Sequence, residues 1–287
     1  MNPARLIAWF DANRRDLPWR APGTTPWGVL VSEVMLQQTP VSRVTGVWTE
    51  WMDRWPLPSA LAGETAGTVV RAWGKLGYPR RALRLHATAA AIAHEHADIV
   101  PADVDTLLAL PGIGAYTARA VAAFGYGHRV PVVDTNVRRV VARAVHGQAD
   151  AAAPAASRDL AEVAAVLPDV APARFSAALM ELGALVCTAR RARCADCPLL
   201  ADCAWVRAGR PAQTTSGRPA QRYAGTDRQV RGLLLDVLRE AAQPVPRAQL
   251  DAVWVNVAQR ARCLDSLLVD GLVAETPDGR YALPGEG

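Results

Sequence analysis

Four of the five cysteines stand at Cys187, Cys194, Cys197 and Cys203, with six, two and five residues between successive members. Four thiolates so close in sequence can converge on one centre. Nothing in the chain marks export, and cytosolic thiols stay reduced, so metal binding leads over disulfide formation. Zinc and iron–sulfur clusters both accept four thiolates. Zinc sites usually present two tight cysteine pairs, whereas here only Cys194 and Cys197 form one, which favours a cluster and leaves zinc open. Residues 188–193, between the first two cysteines, carry Arg190, Arg191 and Arg193. A basic loop pinned at both ends suits phosphates, or is simply solvated. Cys263 stands apart and reads as an ordinary half-buried thiol.

A second pattern is Leu107-Leu108-Ala109-Leu110-Pro111-Gly112-Ile113-Gly114-Ala115-Tyr116-Thr117-Ala118. An apolar helix end, a turn with two glycines and a new helix at Ala115 make a helix-hairpin-helix. Gly112 and Gly114 let backbone N–H groups approach an anion, and the following helix start adds partial positive charge. A Pro-Gly-x-Gly turn in isolation is as often structural. Two carboxylates stand in unusual settings. Glu33 lies in Val29-Leu30-Val31-Ser32-Glu33-Val34-Met35-Leu36, where desolvation is expected to favour the protonated form, as an acid catalyst requires. Asp134 closes the apolar run Val130-Pro131-Val132-Val133, and by itself reads at least as readily as a helix N-cap.

These residues need a scaffold, and the pattern around them is helical. Val69-Val70-Trp73-Leu76 and Leu160-Val163-Val166-Leu167 show three- and four-residue spacing. Prolines such as Pro26, Pro40, Pro58, Pro79, Pro101 and Pro131 punctuate several medium helices. With 287 residues, 51% hydrophobic and 21% charged, the chain suits one large or two ordinary domains and is neither disordered nor fibrous. No apolar run approaches a membrane span, and a soluble cytoplasmic protein is expected. The formal charge of +5 suggests a polyanionic partner. Lys75 is the only lysine among 32 basic residues. Residues 208–226, polar and rich in Pro and Gly, read as a linker. Residues 227–287 show three helical patterns and a strand-turn-strand signal around Pro277-Asp278-Gly279, which predicts a small winged-helix-like module.

The order of Leu17-Pro18-Trp19-Arg20, Ser32-Glu33-Val34-Met35-Leu36-Gln37-Gln38-Thr39-Pro40, the Pro111–Gly114 hairpin, Asp134-Thr135-Asn136 and the four cysteines resembles the helix-hairpin-helix DNA glycosylases with a 4Fe-4S cluster. Within them it resembles the adenine-specific branch, over about Leu6 to Arg207. The resemblance implies a mainly α fold: a six-helix barrel-like domain (about 21–130) and a cluster domain (about 1–20 plus 131–207), with the extruded base entering between them. It implies a 4Fe-4S cofactor on Cys187, Cys194, Cys197 and Cys203. Such an enzyme hydrolyses adenine from duplex DNA where adenine faces 8-oxoguanine or guanine, and is expected to act as a monomer. Cleaving the N-glycosidic bond needs a flipped nucleotide, an acid for the departing base and negative charge near the sugar cation. The resemblance assigns the acid to Glu33, protonating adenine at N7, and the charge to Asp134, with Asn136 and Tyr116 as hydrogen-bonding partners.

Arg15, Leu17, Trp19, Arg20 and Glu181 match positions around the extruded adenine. Gln38 and Thr39 match a wedge touching the opposite purine, and Tyr78 with Leu76 a second intercalating contact. Where the strand-cutting branch has its Schiff-base lysine, this chain has Tyr116, so an abasic site with no strand break is expected. The family often shows Gly-Tyr-Tyr where Gly77-Tyr78-Pro79 stands, and Asp-Gly-Asn where Asp134-Thr135-Asn136 stands. Residues 226–287 do not match the nudix-like domain with which the family identifies 8-oxoguanine. The alternatives are a thymine or uracil glycosylase of the same superfamily, and a non-catalytic metal-containing DNA-binding regulator.

Overall fold

The computed structural model describes residues 1–212 and 223–286; part of the expected linker, residues 213–222, lies outside the described residues. Among the described residues the regular structure is helical except for one two-stranded hairpin near the end of the chain. Proline acts as the punctuation predicted for it: Pro3, Pro18, Pro26, Pro58 and Pro172 open helices, where a missing N–H costs nothing, and Pro40, Pro79 and Pro246 stand at the residue before one. No helix among the described residues is long and apolar enough to cross a membrane.

Two compact units emerge. The first comprises Met1–Leu30, Ala102–Asp105 and the described part of Gly114–Arg218. Its core is built where Pro3–Asn13, Thr135–Ala144 and Pro172–Leu185 bury Leu6, Phe10, Val137, Val140, Phe175 and Leu179. A smaller cluster of Ala120, Ala123 and Val132 lies beneath Tyr116 and Met180. The second unit comprises Val31–Pro101, Thr106–Ile113 and the described residues after 222. In it Trp48 and Trp51 of the helix Val41–Arg54, Trp55 just beyond it and Trp73 of the helix Ala66–Trp73 are buried. Trp51 meets Trp55 and Trp73 edge to face at 4.8 and 5.6 Å, the arrangement that ring quadrupoles favour.

The C-terminal segment of the second unit has helices Asp227–Glu240, Arg247–Asp251 and Val257–Val269. Thr226 and Asn256 cap the first and third through their side-chain oxygens, as Ser/Thr/Asx residues do. Ala274–Glu275 pairs antiparallel with Tyr281–Ala282, and Val245 adds a bridge to Tyr281. Three helices and a small sheet give the winged-helix-like outline expected. This segment packs inside the second unit, on residues 67–80, a placement that composition does not reveal.

Candidate active site

Glu33 sits on the helix Pro26–Leu36, whose sequence is apolar on nearly every face; it is 7% exposed, between the buried Ser32 and Val34. The helix ends at Leu36, and the turn that follows brings Gln38 to a positive φ of 55° with its side chain exposed. Thr39, by contrast, is buried. Its hydroxyl donates to the carbonyl of Leu76 at 3.2 Å and accepts from Arg81 Nη2 at 2.9 Å.

Arg81 is the residue that sequence reading missed. Its Nη1 donates to the carbonyls of Val34, Met35 and Gln37 at 2.8, 2.8 and 2.7 Å, and its Nη2 also donates to that of Gly77 at 2.8 Å. The guanidinium stacks on Trp73 and Tyr78 at 4.9 and 5.7 Å. One buried cation therefore joins the turn after Glu33 to the turn Gly74–Tyr78, because a planar fork of donors can serve carbonyls from both. Burial lowers its pKa to about 10, which still leaves it charged at neutral pH. A signal for it existed: Arg81 shares helical spacing with Leu85, Thr88, Ala89 and Ile92, the buried face of Arg80–Glu95.

The second turn displays Tyr78 at φ 47° and 45% exposed, whereas Leu76 beside it is buried. Thus the structure brings Gln38 and Tyr78 to exposed turns on one arginine, and turns Thr39 and Leu76 inward as their supports. The hairpin follows expectation. Gly112 has φ 81°, and a Cβ there would lie 2.8 Å from Arg84 Cβ, so both conformation and space require glycine. Thr88 donates to the carbonyl of Pro111 at 2.6 Å, tying the turn to the helix behind it. Gly114 precedes the helix Ala115–Tyr126 with no side-chain cap, and Tyr116 is half-buried in the first turn of that helix.

In the first unit Asp134 is indeed the N-cap of Thr135–Ala144: its Oδ1 accepts from the Val137 N–H at 2.7 Å. Its Oδ2 accepts from Asn136 Nδ2 at 2.8 Å. Asn136 Oδ1 in turn accepts from Arg139 Nη2 at 2.7 Å, and Arg139 donates onward to the carbonyls of Gly183 and Cys187, both at 2.7 Å. Gly183 is needed there, since a Cβ would lie 2.6 Å from that of Asn136. Arg143, also buried, donates to the carbonyl of Thr188 at 2.8 Å, lies 3.5 Å from Cys187 Sγ and covers the Trp205 ring at 4.8 Å. A carboxylate that caps a helix is thereby linked, through an amide and a guanidinium, to the first cysteine.

The four clustered cysteines line one pocket, walled by apolar side chains such as Val140, Leu182, Leu199 and Trp205. Their thiols are unpaired, and burial raises the pKa of Cys187 and takes Cys197 up to about 11. Among the described residues no three His, Cys, Asp or Glu side chains gather tightly enough to hold a single ion. Four thiol donors around an apolar wall suit a thiolate-bound metal centre. Arg190, Arg191 and Arg193 are all exposed on the loop beside it.

Glu181 is fully buried. Its two oxygens accept from Arg15 N, Nε and Nη2 at 2.8–2.9 Å and from Arg20 at 3.1 Å, so this carboxylate anchors the segment 15–20. Within that segment Leu17 and Trp19 are buried, and Arg20 also lies 5.5 Å over the Phe10 ring. The arginines keep the Glu181 pKa below the ordinary carboxylate value against the opposing effect of burial.

Comparison with known proteins bears on the family and the fold. Residues 31–165 match the family model of the HhH-GPD superfamily base excision DNA repair proteins. The adenine DNA glycosylase of Mycolicibacterium smegmatis is 65% identical over 289 residues, covering 100% of this chain and 97% of that one. The adenine DNA glycosylase of Mycobacterium tuberculosis is 61% identical, covering 100% and 95%. Among solved structures, a thermostable thymine-DNA glycosylase (TM-score 0.64, 21% identity, 72% of this chain and 95% of that one) and an endonuclease III–DNA complex (0.60, 20%, 72% and 94%) share the fold. Identity this high along the whole chain, on a helix-hairpin-helix scaffold, means that the chain belongs to the adenine DNA glycosylases, the N-glycosidases of base-excision DNA repair.

Proposed function

We propose that the enzyme removes adenine facing 8-oxoguanine or guanine, leaves an unbroken abasic strand, and works as a cytoplasmic monomer on nucleoid DNA. The observation that carries the mispair reading is the pair of exposed left-handed residues, Gln38 and Tyr78, on turns joined by Arg81. Two such side chains suit entry into a duplex step that has lost its base. Glu33 gives its proton to adenine N7 as the C1′–N9 bond breaks. Asp134, oriented by Asn136, faces the developing sugar cation, and a water supplies hydroxide to C1′ while its proton returns to Glu33. Gly112 and Gly114 with the helix behind them hold a phosphate. The buried, apolar setting of Leu17 and Trp19 suits a planar base, with Arg15 and Arg20 held by Glu181. Strand cleavage through an amine finds no support: position 116 is tyrosine, and Lys75 pairs with Asp236 at 3.6 Å.

Cys187, Cys194, Cys197 and Cys203 would hold a 4Fe-4S cluster, which keeps residues 187–203 in one shape when bound. The support is the chemistry of four thiols around an apolar cavity. A brown protein with visible absorbance is expected, and a colourless zinc protein would overturn the assignment.

Duplexes carrying adenine opposite 8-oxoguanine, adenine opposite guanine, and thymine opposite guanine, each followed by alkali, test the activity. Adenine release from the first two with no break before alkali is expected, and thymine release would overturn the reading. The Asp134–Asn136–Arg139–Cys187 chain adds a second expectation. Arg139→Ala should slow adenine release about 10–100-fold, the usual cost of removing a group that orients a functional one, with little change in duplex affinity. Single-turnover rates beside binding isotherms check it, and an unchanged rate would remove Arg139 from the chain.

A further inference from the structure

The segment Tyr223–Glu286 has the outline of a DNA-reading winged helix but not its charge. It carries seven arginines, no lysine and nine carboxylates, whereas the remaining residues carry 25 basic and 18 acidic side chains. Its arginines are mostly spent within the segment: Arg231 on Asp270, Arg247 and Arg260 on Asp251, Arg262 on Asp227 and Arg280 on Asp278, all within 3.1 Å. The exposed positions of its third helix are Val257, Ala258, Arg262, Asp265 and Val269, with one cation that is already paired. A phosphate backbone would find no basic stripe here.

What the segment does grip is the stretch that carries Tyr78. The Gly67 N–H donates to the carbonyl of Pro284 at 2.7 Å, and a Cβ on Gly67 would lie 2.8 Å from that oxygen, so the tail needs glycine beneath it. Arg71 binds the Glu286 carboxylate and the carbonyl of Arg239. Arg239, itself largely buried, returns a bond to the carbonyl of Val70 at 3.2 Å. Lys75 meets Asp236 at 3.6 Å, and Arg80 meets Asp270 at 3.4 Å. The contacts thus fall before, within and after the turn Gly74–Tyr78, where Gly74, Gly77 and Tyr78 all hold positive φ. Such a turn keeps one conformation only when its surroundings over-determine it. We propose that Tyr223–Glu286 is an intramolecular brace that fixes the Gly74–Tyr78 turn from behind, so that Tyr78 is pre-organised for entry into the duplex. The proposal rests on the reading of Tyr78 given above. Arg71 and Gly67 are positioning residues in it.

The test uses full-length protein in four variants: Arg71→Ala, Arg71→Lys, Gly67→Val and Tyr78→Ala, with the double variant Arg71→Ala/Tyr78→Ala. Hydrogen exchange and affinity for a duplex with a non-hydrolysable adenosine opposite 8-oxoguanine are the readouts. Arg71→Ala and Gly67→Val should each speed exchange at amides 75–81 while leaving 115–126 unchanged, and weaken binding about tenfold. Arg71→Lys should recover part of the loss, and Arg71→Ala should add nothing once Tyr78 is alanine. Gly67→Val serves alone if Arg71→Ala does not fold. Unchanged exchange in a folded variant overturns the brace. Faster exchange with unchanged affinity overturns the reading of Tyr78 on which the proposal rests, and additive losses in the double variant overturn the route through Tyr78.

Discussion

Glutamine at position 33 is expected to leave the protein folded and its duplex binding intact while slowing adenine release by about 10²–10⁴, the usual worth of a positioned general acid. Glutamine matches the shape of glutamate and removes only the transferable proton. It replaces a buried side chain on a helix flanked by Ser32 and Val34, so no cavity opens. Without that proton adenine must leave as an anion, and no other carboxyl group has been assigned to supply one. Single-turnover kinetics on a duplex with adenine opposite 8-oxoguanine, together with thermal unfolding of the same sample, measures both halves. A full rate in a folded variant would take the acid away from Glu33 and the proposed chemistry with it.

Arg81→Met is expected to produce the largest loss of stability, about 3–5 kcal/mol, as breaking a buried charged network does. Methionine can keep the contact with Trp73 but leaves the carbonyls of Val34, Met35, Gln37 and Gly77, and the Thr39 hydroxyl, without the guanidinium. The lower end of that range is favoured because Arg81 Nε is itself buried without a partner among the described residues. A chemical denaturation midpoint measures the stability. Affinity for the lesion duplex should fall as well, since the turns of Gln38 and Tyr78 lose their common anchor. A variant of wild-type stability would mean that water or side-chain shifts satisfy those carbonyls, and the linkage of the two turns would fail.

Much of the molecule was legible beforehand. Helical spacing and proline punctuation are local signals, and the helices lie where those signals put them. The hairpin was legible because Gly112 is required by its own φ and by Arg84 at its back. The cysteines announced a common centre through chemistry and spacing alone. The C-terminal hairpin was equally plain from Pro277-Asp278-Gly279. Less was visible for side chains whose meaning depends on distant partners. Glu181 matched a position around the base, and the structure shows it buried under Arg15 and Arg20, 166 and 161 residues away. Thr39 matched the wedge with Gln38, and Leu76 the second intercalating contact with Tyr78; both are buried beside exposed neighbours.

Sequence by itself determined the element types, the turn chemistry and the inventory of reactive groups, because propensity, φ restriction and donor type belong to a residue and its near neighbours. Only the tertiary structure decided which arginines became internal struts, that Asp134 reaches Cys187 through Asn136 and Arg139, and that the last sixty residues press on the Tyr78 turn. The reason is physical. A guanidinium is soluble anywhere on a surface, and it is buried only where several carbonyls from separated segments arrive together to satisfy its fork of donors. That coincidence is a property of packing, which no short stretch of residues contains.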